Sequence, residues 1–344
     1  MTDHRTTSPR VPAPESDGTE AEARLDLLVH RMTWEAEGVL SVDLVHPEGK
    51  PLPAWEPGAH LDLHVGGHVR QYSLCGDPAD SGRYRVGVLN EPASRGGSRY
   101  VHTALRPGAR VTVQGPRNAF RLVEAEGYVF VAGGIGITPL LPMAREAARR
   151  GMPWRLVHGG RHRAAMAFGT ELAELTGLTG LSGAASGEVV LHPQDRLGHI
   201  DLDDALSGLD AGTHVYCCGP EPLLAAVEER CAELGLGERL HVERFAAPVV
   251  ERAGDDTAFE VECRRSGSTV LVDAGTSVID ALDGAGIQVP SSCRDGICGT
   301  CETRVLEGTP EHRDFVLSEA EHAQNATMMV CVSRCSSKRL VLDL

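Results

Sequence analysis

Apolar and polar side chains alternate in short runs over residues 23–122. Two of these runs are LDLHV at residues 61–65 and YRVGV at residues 84–88, and Gly and Pro turns separate the runs. Alternation with a period of two places the apolar side chains on one face of a strand. Many short strands joined by such turns are typical of sandwiches and barrels. The pattern predicts an antiparallel β-barrel over residues 23–122.

Continuous apolar runs alternate with helical patterns over residues 123–245. The predicted buried strands are 128–132, 154–158 and 214–218, and the predicted helices are 140–150 and 223–234. Strands that alternate with helices favour a parallel sheet. This segment is therefore predicted to be an α/β domain.

The last segment, residues 257–344, is predicted to be an α+β domain. A hairpin of strands 259–263 and 269–272 precedes a helix at 277–285, and residues 339–344 form a closing strand. Residues 246–256 are predicted to be a linker. Residues 1–22 are rich in Pro, Ser, Thr and Glu and lack the apolar centre of a secretory signal, so they are predicted to be a disordered leader.

Composition and charge exclude several classes of function. The 344 residues are 42% hydrophobic and 24% charged, which is ordinary for globular domains. The formal net charge of −15 argues against nucleic acid and anionic lipid as partners. The most apolar stretch, residues 128–144, is broken by glycines and prolines, so no membrane span is expected. Ten cysteines, four of them in a cluster spacing, fit a reducing cytoplasm better than disulfides.

Four cysteines carry the strongest chemical signal. Four residues separate Cys293 from Cys298, two separate Cys298 from Cys301, and 29 separate Cys301 from Cys331. This is the spacing of plant-type 2Fe-2S ligation. Gly296 and Gly299 allow the backbone to curl around a cluster, because glycine has no side chain. A zinc site is the alternative, since zinc also uses short cysteine gaps.

Two further cysteines lie in this domain. Cys335 is the one competitor of Cys331 for the position of fourth ligand. Cys263 lies on the opening strand, where a small apolar side chain is expected to fill the core.

Glycine turns follow two predicted strands of the α/β domain. The first turn contains Gly133, Gly134, Gly136, Thr138 and Pro139, and the second follows Cys218 with Gly219 and Pro220. Amide groups at a helix N-terminus attract pyrophosphate, and the carboxyl ends of parallel strands share one sheet edge. Since Pro139 replaces the third glycine of the Rossmann fingerprint, each turn alone would also suit a plain strand-to-helix connection. The pair together predicts a dinucleotide site.

Arg161 bears on the choice of dinucleotide. It follows the strand at 154–158, where an acid favours a free ribose hydroxyl and an arginine accommodates a 2'-phosphate. Charge alone therefore favours NADPH.

The barrel carries the pattern Arg70-Gln71-Tyr72-Ser73. An arginine fork suits a phosphate, an aromatic ring can flank a ribityl chain, and a hydroxyl can bond to a redox-active ring edge. An ordinary alternating strand is the alternative. A second anion-binding turn, expected at the start of a helix over 99–105, contains Gly96, Gly97 and Ser98.

These motifs, in this order, resemble the phthalate dioxygenase reductase family, which includes vanillate demethylase reductases. The resemblance covers about 320 residues and implies a flavin barrel, a nucleotide domain and a C-terminal β-grasp ferredoxin domain. It also implies FMN, one 2Fe-2S cluster and NADH as cofactors, with NADPH as the alternative nucleotide.

The resemblance assigns roles to individual residues. Ser73 and Cys218 would flank the hydride path, and Cys331 would be the fourth cluster ligand. Phe245 would shield the flavin face, although simple core packing of Phe245 is nearly as good an explanation.

The resemblance also implies a protein partner. Electrons would pass to a separate terminal oxygenase, of the Rieske non-haem type or, as the alternative, a haem-thiolate monooxygenase. A non-enzymatic redox-sensing binding protein is the hypothesis from another class.

Overall fold

The computed structural model describes residues 24–92, 94–179, 187–248 and 256–344. The predicted leader, 1–22, and most of the predicted linker, 249–255, lie outside the described residues. No helix among the described residues has the length and apolar character needed to cross a membrane.

The alternating runs form the predicted antiparallel barrel. Its strands are β1 (Arg24–Ala36), β2 (Val39–Val45), β3 (His60–Val65), β4 (His68–Ser73), β5 (Tyr84–Leu89) and β6 (Arg110–Arg117), in the order β4-β3-β6-β1-β2-β5. A bridge between Leu74 and Val86 joins the two edge strands and closes the sheet. Leu61, Leu63 and Val86 are fully buried in the interior. Helix α1 (Gly97–Thr103) packs beside β3, β4 and β5.

The second domain has the predicted parallel sheet. Its strands are β7 (Gly127–Gly133), β8 (Trp154–Gly160), β9 (Gly187–Pro193), β10 (Thr213–Cys218) and β11 (Leu240–Glu243), in the order β11-β10-β7-β8-β9. Its helices are α2 (Ile137–Arg149), α3 (Gly169–Thr179), α4 (Gln194–Leu197), α5 (Leu202–Leu206) and α6 (Glu221–Glu233). Because β7 and β10 are parallel neighbours, the glycine turns that follow them meet at one edge.

Helices α2 and α6 both begin earlier than the sequence predicts. The sequence places their first residues at 140 and 223, whereas the helices begin at Ile137 and Glu221. Pro139 and Pro222 therefore each lie in the first turn of a helix. A proline is tolerated there because the first amide groups of a helix have no intrahelical partner.

The third domain has the predicted α+β composition. It contains β12 (Phe259–Cys263), β13 (Ser268–Val272), α7 (Val278–Gly284), β14 (Glu302–Glu307), β15 (Pro310–Glu311), α8 (Glu319–Gln324), β16 (Thr327–Met329), β17 (Arg334–Cys335) and β18 (Arg339–Leu342). The main sheet has the order β13-β12-β18-β14-β16, and the closing strand β18 runs parallel to β12. Ser277 caps helix α7 by accepting a hydrogen bond from the amide of Asp280. Cys263 is fully buried in this core, as predicted.

Candidate functional site

A cleft lies where the three domains meet. The space within it that water can reach is about 90 Å³. The barrel, the nucleotide domain and the third domain all supply walls: His60, Gln71, Ser73, Ala119, Phe120, Val242, Glu243, Arg244, Phe245, Ile297, Cys298, Phe315 and Val316. The predicted flavin residues Gln71, Ser73 and Phe245 therefore share one cavity with Cys298, a predicted cluster ligand.

Ser73 and Cys218 converge on one carboxyl group. The Ser73 hydroxyl donates to Oε2 of Glu243 at 3.4 Å, and the Cys218 thiol approaches the same oxygen at 3.9 Å. Burial raises the pKa of Glu243 to about 8, so its carboxyl group is largely neutral at pH 7. The pKa of the Cys218 thiol is also raised well above its ordinary value, mainly by burial. Sequence reasoning missed Glu243, because one acid at the end of a strand has no characteristic spacing.

Phe245 lines the cleft and is not a core residue. Its side chain is 45% exposed, which argues against the packing alternative. It follows Glu243 by two residues, just after β11. An aromatic ring at this place could cover a flat ligand in the cleft.

The two glycine turns pack against each other without room for side chains. A Cβ atom on Gly136 would lie 2.1 Å from the carbonyl oxygen of Cys218. A Cβ atom on Gly219 would lie 2.9 Å from Cα of Gly133. Gly134 adopts a φ of +56°, in the left-handed region that favours glycine. The predicted pair of turns thus forms one surface.

Thr138 and Pro139 belong to helix α2, and Pro220 precedes α6 directly. The Thr138 hydroxyl donates to the carbonyl of Ile135 at 2.9 Å, which ties the start of the helix to the first turn. Both helices therefore start at the edge where the two turns meet.

His158 is a second residue that sequence reasoning missed. Its Nε2 lies 3.1 Å from the carbonyl oxygen of Gly134, and the side chain is fully buried. Burial lowers the pKa of His158 to about 4, so the ring is neutral and donates to that carbonyl. His158 thereby holds the first turn in place. Arg161, one residue beyond β8, is exposed at the same end of the sheet.

Arg70 and the second glycine turn lie in direct contact. Nη2 of Arg70 donates to the carbonyl of Arg95 at 3.2 Å. A Cβ atom on Gly97 would lie 2.6 Å from Cγ of Arg70, so the turn and the arginine are in direct contact. Gly96 is the N-cap of α1 with a φ of 109°, and Ser98 lies inside that helix. Tyr72 is partly buried on β4, and burial raises its pKa to about 12.

Four predicted ligands lie close together in the third domain. Cys298, Cys301 and Cys331 are buried, and Cys293 is partly exposed. The thiol of Cys293 is within hydrogen-bonding reach of Cys298 and Cys331, and these contacts lower its pKa. The amide of Asp295 also donates to the Cys293 sulfur at 3.3 Å. Gly296 and Gly299 have φ values of 73° and 76°, as a loop curled around a cluster requires.

The Cys293 thiol contacts Cys298 and Cys331, and the Cys301 thiol contacts Cys331. The four thiols therefore form one connected group, as the ligands of a single cluster must. Cys335 instead donates to the carbonyl of Ser337 at 2.8 Å.

A hydrogen-bonded contact joins the barrel to the cluster loop. The Ser292 hydroxyl, next to Cys293, donates to Oδ1 of Asp62 at 2.6 Å. The side-chain amide of Gln71 donates to the same hydroxyl at 3.2 Å. Asp62 is 2% exposed and also pairs with Arg117. We call Asp62, Gln71 and Ser292 the interdomain latch.

Comparison with known proteins gives the same arrangement of domains. Residues 261–336 match the family of 2Fe-2S iron-sulfur cluster binding domains, and residues 130–229 match the oxidoreductase NAD-binding domain. Vanillate O-demethylase oxidoreductase from Pseudomonas sp. (strain HR199 / DSM 7063) is 42% identical over 326 residues, which cover 93% of this chain and 100% of the relative.

Two solved structures are similar over most of the chain. Phthalate dioxygenase reductase, described as a modular structure for electron transfer from pyridine nucleotides to 2Fe-2S, is 35% identical with a TM-score of 0.64. The match covers 94% of this chain and 98% of that one. An intact type IV self-sufficient cytochrome P450 monooxygenase is 41% identical with a TM-score of 0.84. That match covers 93% of this chain but only 41% of the larger protein.

Proposed function

The chain belongs to the phthalate dioxygenase reductase family, and from this premise we propose that it carries electrons from NADH through FMN to a 2Fe-2S cluster and on to a terminal oxygenase. One observation carries the proposal. A single cleft is bordered by Ser73 of the barrel, by Glu243 and Phe245 of the nucleotide domain, and by Cys298 of the cluster loop. A flavin in this cleft would contact both the nucleotide domain and the cluster loop.

We assign the three steps to the three domains: flavin binding to residues 23–122, nucleotide binding to 123–245 and cluster binding to 257–344. A 2Fe-2S cluster accepts one electron at a time, whereas NADH delivers two electrons as a hydride. Bound FMN supplies the conversion between the two, because a flavin can take up two electrons and release them singly. Cys293, Cys298, Cys301 and Cys331 would hold the cluster. Arg70, Tyr72, Gly96, Gly97 and Ser98 would hold the phosphate and ribityl end of the flavin.

The dinucleotide would bind at the paired glycine turns of the nucleotide domain. Their close packing leaves backbone amide groups at the N-terminal ends of α2 and α6, where a pyrophosphate is stabilised. Neutral His158 holds the first of these turns through the Gly134 carbonyl. Arg161 is exposed beyond the second strand, where it can contact the adenosine ribose of NADH, or a 2'-phosphate of NADPH.

Ser73, Cys218 and Glu243 orient the reacting groups and add no charge at neutral pH. The pKa values of the thiol and the carboxyl group are both raised, so both are uncharged near pH 7. A neutral site avoids placing a negative charge beside the acceptor of a hydride. Phe245 excludes water from the cleft until a nicotinamide takes its place. A general base is not needed, because hydride transfer moves no proton.

A location in the cytoplasm is part of the proposal. None of the ten cysteines, all of which lie in the described residues, forms a disulfide bond. Free thiols persist in reducing compartments, where NADH is also available.

Two kinds of terminal oxygenase are candidates. The likeness to vanillate and phthalate oxygenase reductases favours a Rieske non-haem oxygenase. A second candidate is a cytochrome P450, because a self-sufficient P450 contains a unit of this fold. The test mixes the protein, NADH and either a purified Rieske oxygenase or a purified P450, and follows reduction of the partner's own chromophore. Reduction of neither, with the protein's own cofactors fully reduced by NADH, would overturn the assignment of an oxygenase partner.

A further inference from the structure

Two histidines and one aspartate form a cluster apart from the four cysteines. His312, Asp314 and His322 each offer a ligand atom, and these atoms all lie within 4.8 Å of one another. Nδ1 of His312 lies 3.7 Å from Oδ1 of Asp314, and Nε2 of His322 lies 3.3 Å from Oδ2. The two imidazole rings are stacked, with their centroids 4.4 Å apart.

The Asp314 carboxylate is fixed in its orientation by several donors. Oδ2 accepts from the amide groups of Val316 and Leu317 at 3.2 and 2.9 Å. Oδ1 accepts from the hydroxyl of Ser333 at 3.4 Å. The carboxylate side chain has no exposed surface. Since an ionised carboxylate has about four lone-pair positions, Oδ1 retains capacity on the side of His312.

The imidazole of His312 carries an unsatisfied nitrogen. Its Nε2 lies 3.2 Å from the side-chain oxygen of Asn325, which can only accept, so Nε2 bears the proton. Nδ1 then presents a lone pair to the carboxylate oxygen of Asp314. This nitrogen is buried without a hydrogen-bond partner, and the side chain is 8% exposed. Two facing acceptors repel each other unless a proton or a metal cation lies between them.

We propose that His312, Asp314 and His322 bind one divalent transition-metal ion of the zinc class, in addition to the 2Fe-2S cluster. Metal–ligand bonds of about 2.0–2.2 Å in a tetrahedral site place neighbouring ligand atoms about 3.3–3.6 Å apart. The three ligand atoms here lie within 4.8 Å of one another, so small side-chain movements would bring them to that spacing. His322 would bind through Nε2 by moving its proton to Nδ1, so the neutral ring releases no proton. The His322 side chain is 29% exposed, which gives water access to the fourth position.

Asn325 completes the site as a positioning residue. Ligating histidines usually donate their second ring N–H to an acceptor, and this partner fixes the tautomer and the ring orientation. The Asn325 side chain does this for His312. Asn325 itself has a left-handed φ of 50° at the C-cap of α8, a conformation that asparagine and glycine tolerate.

The ion would connect segments that surround the cluster loop. The amide of Phe315, next to Asp314, donates to the carbonyl of Gly296 in that loop at 2.9 Å. Ser333, which bonds to Asp314, is two residues beyond Cys331. A bound ion would join these segments to helix α8 through His322.

The test is direct metal binding to the tag-free full chain with its cluster and flavin in place. Zinc chloride is titrated by calorimetry, and zinc and iron are counted by mass spectrometry after gel filtration. We expect one zinc per chain in the wild type and no retained zinc in His312→Ala or His322→Ala. Asn325→Gly keeps the left-handed backbone but removes the amide, and it should weaken zinc binding about 10–100-fold. His30→Ala, which removes an exposed histidine of β1, is the matched control and should bind zinc as the wild type does.

The visible spectrum of the cluster shows in each variant that the domain is folded. Should His312→Ala fail to fold, His322→Ala decides, because its side chain is partly exposed. The proposal is overturned if wild-type protein retains no more zinc than His322→Ala, or if both histidine variants bind zinc like the wild type. Neither result depends on electron transfer, so the proposed function is tested separately.

Discussion

Glu243 lies where the barrel meets the nucleotide domain. Ser73 of the barrel and Cys218 of the nucleotide domain both approach its Oε2. Its pKa of about 8 means that it is protonated at pH 7 and loses its proton as the pH rises through about 8. The carboxylate would place a negative charge beside the hydride acceptor. We expect the rate of flavin reduction by NADH, measured by rapid mixing, to fall as the pH rises from 7 to 9. Glu243→Gln cannot titrate and should show a flat profile; an unchanged pH dependence in this variant would contradict the role of Glu243.

Cys218 and Cys217 form a natural pair of variants. Both are fully buried on β10, but only Cys218 approaches Glu243. Cys218→Ala should slow flavin reduction by tens to about a hundredfold, because small misplacements of reacting atoms are costly. Transfer from the flavin to the cluster should keep its rate. Cys217→Ala should leave both steps unchanged, and equal effects of the two variants would mean that Cys218 acts through core packing alone.

Motif residues were predictable from the sequence, whereas their partners were not. Ser73, Cys218 and the four cysteine ligands belong to short patterns with a fixed spacing. Glu243 and His158 have no such pattern, and their roles come from tertiary placement: Glu243 between two domains and His158 beneath the first glycine turn. The roles of individual site residues stay predictions until variants are measured.

At the scale of elements, the segment from β16 to β17 carries both cysteines that compete to be the fourth ligand. Cys331 follows β16 and lies within reach of Cys293 and Cys301, whereas Cys335 lies on β17 and donates to Ser337. Cys331→Ser should lose or destabilise the cluster while NADH oxidation with ferricyanide, which can take electrons from the flavin, persists. Cys335→Ser is the matched control and should keep its iron. Iron content and the visible spectrum check this, and the reverse result would move the fourth ligand to Cys335.

The interdomain latch joins strands β3 and β4 to the cluster loop. Ser292→Ala removes a hydrogen bond to the buried Asp62, and such a bond to a charged group contributes about 1.5–3 kcal/mol. We expect this variant to slow transfer from flavin to cluster by up to about tenfold without changing flavin reduction. Arg95→Ala removes the exposed ion pair with Asp295 between the same domains, and it should have little effect. Equal rates in wild type and Ser292→Ala under rapid mixing would show that the latch does not position the cluster.

Several strands were predictable because apolar periodicity is a local property. Phe259–Cys263 was predicted without error, and β7, β8 and β10 differ from their predictions only by one or two residues at their ends. Helices α2 and α6 began earlier than predicted because Pro139 and Pro222 suit a first helical turn as well as a loop. The local sequence does not distinguish these two cases.

At the scale of the whole molecule, the order of the three domains was predictable but their contacts were not. The two hydrogen bonds of the latch join residues that are separated by 221 and 230 positions in the chain. No sequence period encodes such pairs. Ser73, Glu243 and Cys298 border the cleft, one from each domain, so the cleft depends on how the three domains pack together. Electron transfer within one chain is therefore a property of the domain assembly and not of any single motif.

The most direct test of this account is anaerobic rapid mixing of the purified full chain with NADH, followed across the visible spectrum, after extraction has identified the flavin. We expect one FMN and two irons per chain, with flavin absorbance bleaching first and iron-sulfur absorbance bleaching in a second phase. Release of FAD, zinc in place of iron, or cluster bleaching that does not follow flavin reduction would contradict it.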